Sequence, residues 1–126
     1  MEQRLQLLRL GGVIDSEVRD GMLKVLDALE NRWSITVRND QGIMALTHMA
    51  SALMRSKQDV VIQGLDEELL QEIREAECYP QLRLIHQDLL QVSGHQVHPN
   101  EEGYLLANLY SLLQHSLLQR QEQGEH

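Results

Sequence analysis

The sequence predicts an all-α protein, a compact five-helix bundle, and three observations carry that prediction. Its apolar residues are mostly Leu, Val, Ile, Ala and Met. Phe is absent, and the aromatics are only Trp33, Tyr79, Tyr104 and Tyr110. Strands favour aromatic and β-branched side chains, whereas Leu, Met, Gln, Glu and Arg favour helices. Apolar positions also recur at helical spacing in segment after segment. Between those segments stand short runs of Gly, Pro, Asn and Asp, the residues that stop and start helices. Five helices with short connections close most simply as a bundle.

The elements follow in order. Gly11-Gly12 breaks a short opening segment, so residues 1–15 read as an N-terminal segment ahead of the domain. The first helix is predicted over Ser16 to Trp33, capped by Asp15 or Ser16, with Val18, Met22, Val25, Leu26, Leu29 and Trp33 on one face. Ser34 to Asp40 is a connector, briefly extended. Asn39 or Asp40 caps a second helix over residues 40 to 57, whose inward face is Ile43, Leu46, Ala50 and Leu53. Val60-Val-Ile-Gln-Gly reads as an apolar linker, because no partner strand is visible. A third helix, opened by Asp66-Glu67-Glu68, runs to about Glu77 with Leu69, Leu70 and Ile73 inward. Pro80 suits the first turn of a fourth, which ends at Ser93-Gly94. The last helix, Asn100 to Gln121, is the most apolar and includes Leu105, Leu109, Leu112, Leu113, Leu117 and Leu118. The domain is therefore predicted over residues 16–121, with a polar tail at 122–126.

Length and charge narrow the function. A chain of 126 residues is one domain's worth and long enough to bury a core without metals or disulfides. The formal net charge is −8. Its lysines are Lys24 and Lys57, and its arginines are scattered, so no basic patch is present to grip a phosphate backbone. Direct nucleic-acid binding is not expected. The single Cys78 has no partner for an internal disulfide, which fits a reducing compartment. Arg4 and Arg9 interrupt the N-terminus, and no stretch has the length of a membrane span. A cytoplasmic protein without membrane contact is expected.

His48 is the residue that carries chemistry. Stepping round the second helix at about 100° per residue places it nearly opposite Ile43, Leu46, Ala50 and Leu53. Ser51 and Arg55 lie on the same polar side, at i+3 and i+7, and Met44 one turn earlier. Helical side chains lean toward the N-terminus, so Arg55 reaches back toward Ser51 and His48. A guanidinium suits phosphate oxygens. The alternatives are a surface histidine with a neighbouring arginine and no chemistry, or a buried polar contact to a partner helix.

The segment Ala45-Leu-Thr-His-Met-Ala-Ser-Ala-Leu-Met-Arg55 resembles the first signature of PTS regulation domains: a histidine early in a helix, small and apolar residues, then an arginine seven positions on. Tyr79-Pro80 and the helical stretch after it resemble the middle section of that family. Pro99-Asn-Glu-Glu-Gly-Tyr-Leu-Leu-Ala-Asn-Leu109 resembles its second signature. The similarity spans about Ser16 to Leu118. Two positions depart from the pattern. Asn108 stands where the second signature has a histidine, so that phosphorylation site is degenerate. Thr47 stands where an aspartate usually precedes the first histidine.

The resemblance implies a non-enzymatic, phosphorylation-responsive module of the sugar phosphotransferase system. His48 is then the candidate phosphoacceptor, with HPr or an enzyme IIB component as donor, and Arg55 and Ser51 are candidates for supporting the phosphate. It also implies a homodimer whose association changes on phosphorylation. In the family the output, an RNA-binding or helix-turn-helix domain for transcription regulation, is attached. Here so little precedes and follows the domain that it is expected to act through another regulatory protein. The alternative is a helical protein-interaction or structural module in which His48 is never modified.

No metal or cofactor is expected. His95-Gln-Val-His98 with Glu101 and Glu102 contains zinc-ligand types, but two loop histidines at this spacing are more often solvated. His86, between Ile85 and Gln87, reads as a partly buried structural histidine, and Cys78 as a small buried hydrophobe. A Gly-rich phosphate loop and a Gly-x-Ser-x-Gly elbow are both missing, which argues against an enzyme.

Overall fold

A computed structural model describes the backbone of residues 1–124 and the side chains of residues 1–117. All the regular structure in it is helical. The elements are α1 (Glu2–Leu10), α2 (Ser16–Asp27) continued by a π turn (Ala28–Arg32), α3 (Asp40–Lys57), α4 (Glu67–Arg74), α5 (Tyr79–Ser93) and α6 (Pro99–Gly124). The expected side chain of Leu118 lies outside the described residues. The expected tail, 122–126, starts within α6, and residues 125 and 126 are likewise outside.

The helix ends are set by the short polar side chains the sequence supplies. Asp15 rather than Ser16 caps α2, its Oδ1 accepting from the Val18 N–H at 2.8 Å. Asn39 caps α3 through the Gly42 N–H at 2.7 Å, and Asp66 caps α4 through the Glu68 N–H. At the other end of α3, Asp59 adopts φ 59, the Asp59 N–H bonds the Ser56 carbonyl and the Val60 N–H bonds the Arg55 carbonyl. That pair of bonds is the left-handed stop that satisfies the last carbonyls of a helix. Gly94, at φ 75, ends α5 in the same left-handed region. Val60 and Val61 form an exposed linker outside any strand.

Two expectations are corrected. Among the described residues there are six α-helices, because the opening segment is itself the helix α1. Residues 1–15 also belong to the core: Leu5 and Ile14 are each only 2% exposed. Polar contacts tie α1 down as well, with Arg38 bridging Glu2 of α1 and Glu30 of the π turn. The Glu2 carboxyl is pulled down to about 2, chiefly by its hydrogen bond from Arg38. The core is otherwise built largely from the expected faces: Val18, Met22, Val25 and Leu26 of α2 with Leu29 of the π turn; Leu46, Ala50 and Leu53 of α3, where Ile43 is only half-buried; Leu82, Ile85 and Leu89 of α5; Leu105, Leu109, Leu112 and Leu113 of α6. On α4 only Ile73 is fully buried; Leu69, expected inward, is exposed.

The π turn carries the chain from α2 into the connector. The Trp33 N–H reaches back five residues to the Ala28 carbonyl at 3.0 Å. Its indole Nε1 donates to Asp88 of α5 at 2.8 Å, and Arg32 pairs with the same carboxylate. The connector is then pressed into the bundle, with Ile35 and Val37 buried and the Thr36 N–H donating to Ser116 Oγ.

That connector explains a glycine. A Cβ at Gly42, in the first turn of α3, would sit 1.7 Å from the Val37 carbonyl oxygen. At an open helical site Gly→Ala gains up to about 1 kcal/mol. Here we expect Gly42→Ala to destabilise by about 3 kcal/mol, because the buried connector must move to admit the methyl. Urea unfolding of the two proteins checks the sign.

Candidate functional site

The site is the seam between α3 and α6, which pack against each other. Leu46, Met49, Ala50, Ala52 and Leu53 bury one side of α3, and α6 contributes Leu105, Leu109 and Leu112. That burial leaves His48 exposed on the remaining polar side. Met44, one turn earlier, is exposed too, and Ser51, one turn later, is half-buried.

Two polar pairs cross the seam. His48 Nδ1 lies 2.8 Å from Nδ2 of Asn108, which is also 3.0 Å from the Tyr104 carbonyl oxygen of its own helix. Arg55 meets Glu101 with a two-pronged fork, Nε to Oε2 at 2.8 Å and Nη2 to Oε1 at 3.0 Å. Glu101 is 1% exposed, while the Arg55 side chain is about one-third exposed. Donating these hydrogen bonds to Glu101 pushes the Arg55 guanidinium up from its ordinary value. His48 and Arg55 are seven residues apart on α3, and Glu101 and Asn108 are seven apart on α6. The helices run antiparallel, so both pairs belong to one register.

The sequence-predicted residues are thus partly gathered and partly reassigned. His48 and Asn108, from the two segments that carry the resemblance, come together. Arg55 does not stand free for an anion on His48, because its fork is occupied by Glu101. Thr47 Oγ1 is buried and finds no hydrogen-bond partner among the described residues, so it does not take the role of a carboxylate beside the ring.

The loop histidines disperse. His95 Nε2 lies 3.3 Å from the Glu17 carbonyl, and His98 Nδ1 accepts from the Asn100 N–H at 3.0 Å. The neighbouring glutamates face elsewhere, Glu101 to Arg55 and Glu102 toward His86. Among the described residues no three His, Cys, Asp or Glu side chains are grouped to hold a metal ion. Lys57, at the end of α3, pairs with Asp15 and Glu17. Its hydrogen bond, then that of the capped Val18 N–H, holds the Asp15 carboxyl below its ordinary value.

His86 is 7% exposed, and its Nε2 stands 3.7 Å from Glu102 without a hydrogen bond. Burial pushes its pKa down from 6.5, and Glu102 only partly offsets this. Sequence reasoning expected His86 to be partly buried but missed the partnership of Arg55 with Glu101. The signal lay in Glu101 itself, a carboxylate seven residues before Asn108.

The chain is thus an all-α protein in which a surface histidine meets a carboxamide across an antiparallel helix pair. Over 112 residues it is 49% identical to the uncharacterized protein YhfY of Escherichia coli (strain K12), the match covering 89% of this chain and 93% of that protein. It is 30% identical over 111 residues to an uncharacterized protein of Haemophilus influenzae (strain ATCC 51907 / DSM 11121 / KW20 / Rd), covering 88% of this chain and 89% of the other. The chain belongs to the family of these two proteins. No family model and no solved structure matches it.

Two outcomes are expected. Arg55→Ala leaves Glu101 buried without a counter-charge and costs about 3 kcal/mol, whereas Arg55→Ala with Glu101→Leu recovers most of it; chemical denaturation of both variants decides. For His86 the depressed native pKa means that the unfolded chain binds more protons below pH 6.5. Stability therefore falls as pH drops below about 6.5, the unfolded value, and the loss is smaller in His86→Leu. Thermal midpoints at pH 7.5 and 5.5 measure it.

Proposed function

We propose that this chain is a phosphorylation-responsive regulatory module of the sugar phosphotransferase system, with His48 as its phosphoacceptor. One observation supports this above the others. The residues at the two signature histidine positions, 60 apart in sequence, meet through a hydrogen bond with His48 exposed to a donor protein. The contact joins the two segments that carry the resemblance.

In the proposed reaction a ring nitrogen of His48 attacks the phosphorus of a phosphohistidine on HPr, or of the phosphorylated enzyme IIB component. The donor's phosphorus–nitrogen or phosphorus–sulfur bond breaks and its electron pair stays on the donor. The proton displaced from His48 is released, to the donor or to solvent. The product carries nearly two negative charges at the α3–α6 seam. Ser51 lies one turn away. Arg55 reaches the phosphoryl group only by leaving Glu101, so recruiting it reorganises the seam. In a homodimer formed across this face, with Met44 beside His48, the new charge shifts association by repulsion. Output then passes to another regulatory protein in the cytoplasm. Among the described residues no helix is long and apolar enough to cross a membrane.

A second reading has its own support. The commitment of Arg55 to Glu101, and a carboxamide at position 108, fit a partner-binding helical module in which His48 is never modified. Incubation with HPr, enzyme I and phosphoenolpyruvate separates the two. Acid-labile phosphate mapping to His48, and lost in His48→Ala, is the expected result. If no label reaches His48 from HPr or from an enzyme IIB donor, while His48→Ala still changes dimerisation or partner binding, the interaction module stands instead.

A further inference from the structure

We propose that Asn108 is a positioning residue that sets the tautomer of His48, keeping the lone pair on the covered Nδ1 and the proton on Nε2. The regulatory consequence rests on the phosphoacceptor reading of His48; the tautomer itself does not.

The argument starts from the amide. A carboxamide offers a donor nitrogen and an acceptor oxygen, and neighbouring groups decide which faces where. The group beside Asn108 is the Tyr104 carbonyl oxygen, which only accepts. It lies 3.0 Å from Nδ2. Turned over, the amide would set its own oxygen against that carbonyl, two acceptors opposed. Nδ2 therefore occupies this position, and it is the atom 2.8 Å from His48 Nδ1. Each of its two hydrogens then has a taker, Tyr104 and His48.

A donor amide requires an acceptor ring nitrogen. In a neutral imidazole one nitrogen carries hydrogen and the other the lone pair. Nδ1 therefore holds the lone pair, engaged by the amide, and Nε2 holds the proton. Nε2 makes no hydrogen bond among the described residues, and His48 is exposed. An incoming phosphoryl group meets an N–H, while the electron pair it needs is capped. Transfer waits until Asn108 swings off the ring, or until the ring proton moves to Nδ1 and frees Nε2.

A carboxylate at position 108 inverts this arrangement. It accepts only, so Nδ1 must carry the hydrogen and Nε2 presents its lone pair to solvent. The smaller change, Asn108→Ala, uncovers Nδ1 without adding charge.

The test uses the full chain labelled with ¹⁵N-histidine and long-range ¹H–¹⁵N correlation spectra, which distinguish protonated from bare ring nitrogens. Wild type is expected to show bare Nδ1 and protonated Nε2 at His48, and Asn108→Asp the reverse. The same proteins are treated with phosphoramidate as a small phosphoryl donor, and the label is mapped by peptide. There the donor's phosphorus–nitrogen bond breaks, a ring-nitrogen–phosphorus bond forms, and the ring proton leaves with ammonia as ammonium. His48 labelling is expected to rise severalfold in both Asn108→Asp and Asn108→Ala. Protonated Nδ1 in wild type, or an unchanged tautomer in folded Asn108→Asp, overturns the assignment. Equal labelling of all three proteins overturns the gate. No label on His48 in any of them, with the tautomer reversed as expected, ends the phosphoacceptor reading and leaves the hold of Asn108 on the ring intact.

Discussion

The α3–α6 seam depends on one buried charge. Glu101 has almost no contact with solvent, and Arg55 is its counter-ion. A carboxylate in that position is tolerated only when paired, since removing one partner of a buried pair is far more costly than the pair is stabilising. The apolar residues of α3 and α6 are less exacting about which turn faces which than a charge is, because apolar burial is non-directional. The ion pair admits one register. Once Arg55 faces Glu101, the common seven-residue spacing brings His48 to Asn108, two turns or about 10 Å further along. The geometry at His48 is thus a product of register, and the register is set at the other end of the seam.

The first turn of α6 shows how adjacent glutamates divide their work. Glu101 points inward to Arg55, while Glu102 stays half-exposed near His86 of α5. Both lie where the positive end of the helix dipole favours carboxylates. One helix start thereby contacts α3 through a full ion pair and α5 through a conditional one, because His86 is held neutral by burial.

The all-α class and most helix limits were legible because they depend on local signals: Asn39 and Asp66 as caps, Pro80 in a first turn, Gly94 as a stop. The exposure of His48 was legible for the same reason, since a single helix's periodicity tells its two sides apart. The partner of Arg55 was not. A wheel drawn for α3 places Arg55 beside His48 but contains nothing about α6, and a guanidinium is drawn to the nearest buried carboxylate before any absent anion. The helix α1 was hidden because Gly11-Gly12 reads as a break and only Leu5 within α1 is fully buried. The close approach of Gly42 to Val37 was also beyond sequence reasoning, because it arises where an irregular connector folds back on a helix.

The indole of Trp33 has a use that follows from its bond to Asp88. It is the single tryptophan of the chain, and its Nε1 is tied to α5 rather than to the α3–α6 seam. Its fluorescence is therefore a native optical reporter for the joint between the π turn and α5. An event confined to His48 leaves that signal still, whereas one that spreads through the bundle as far as this joint changes its colour.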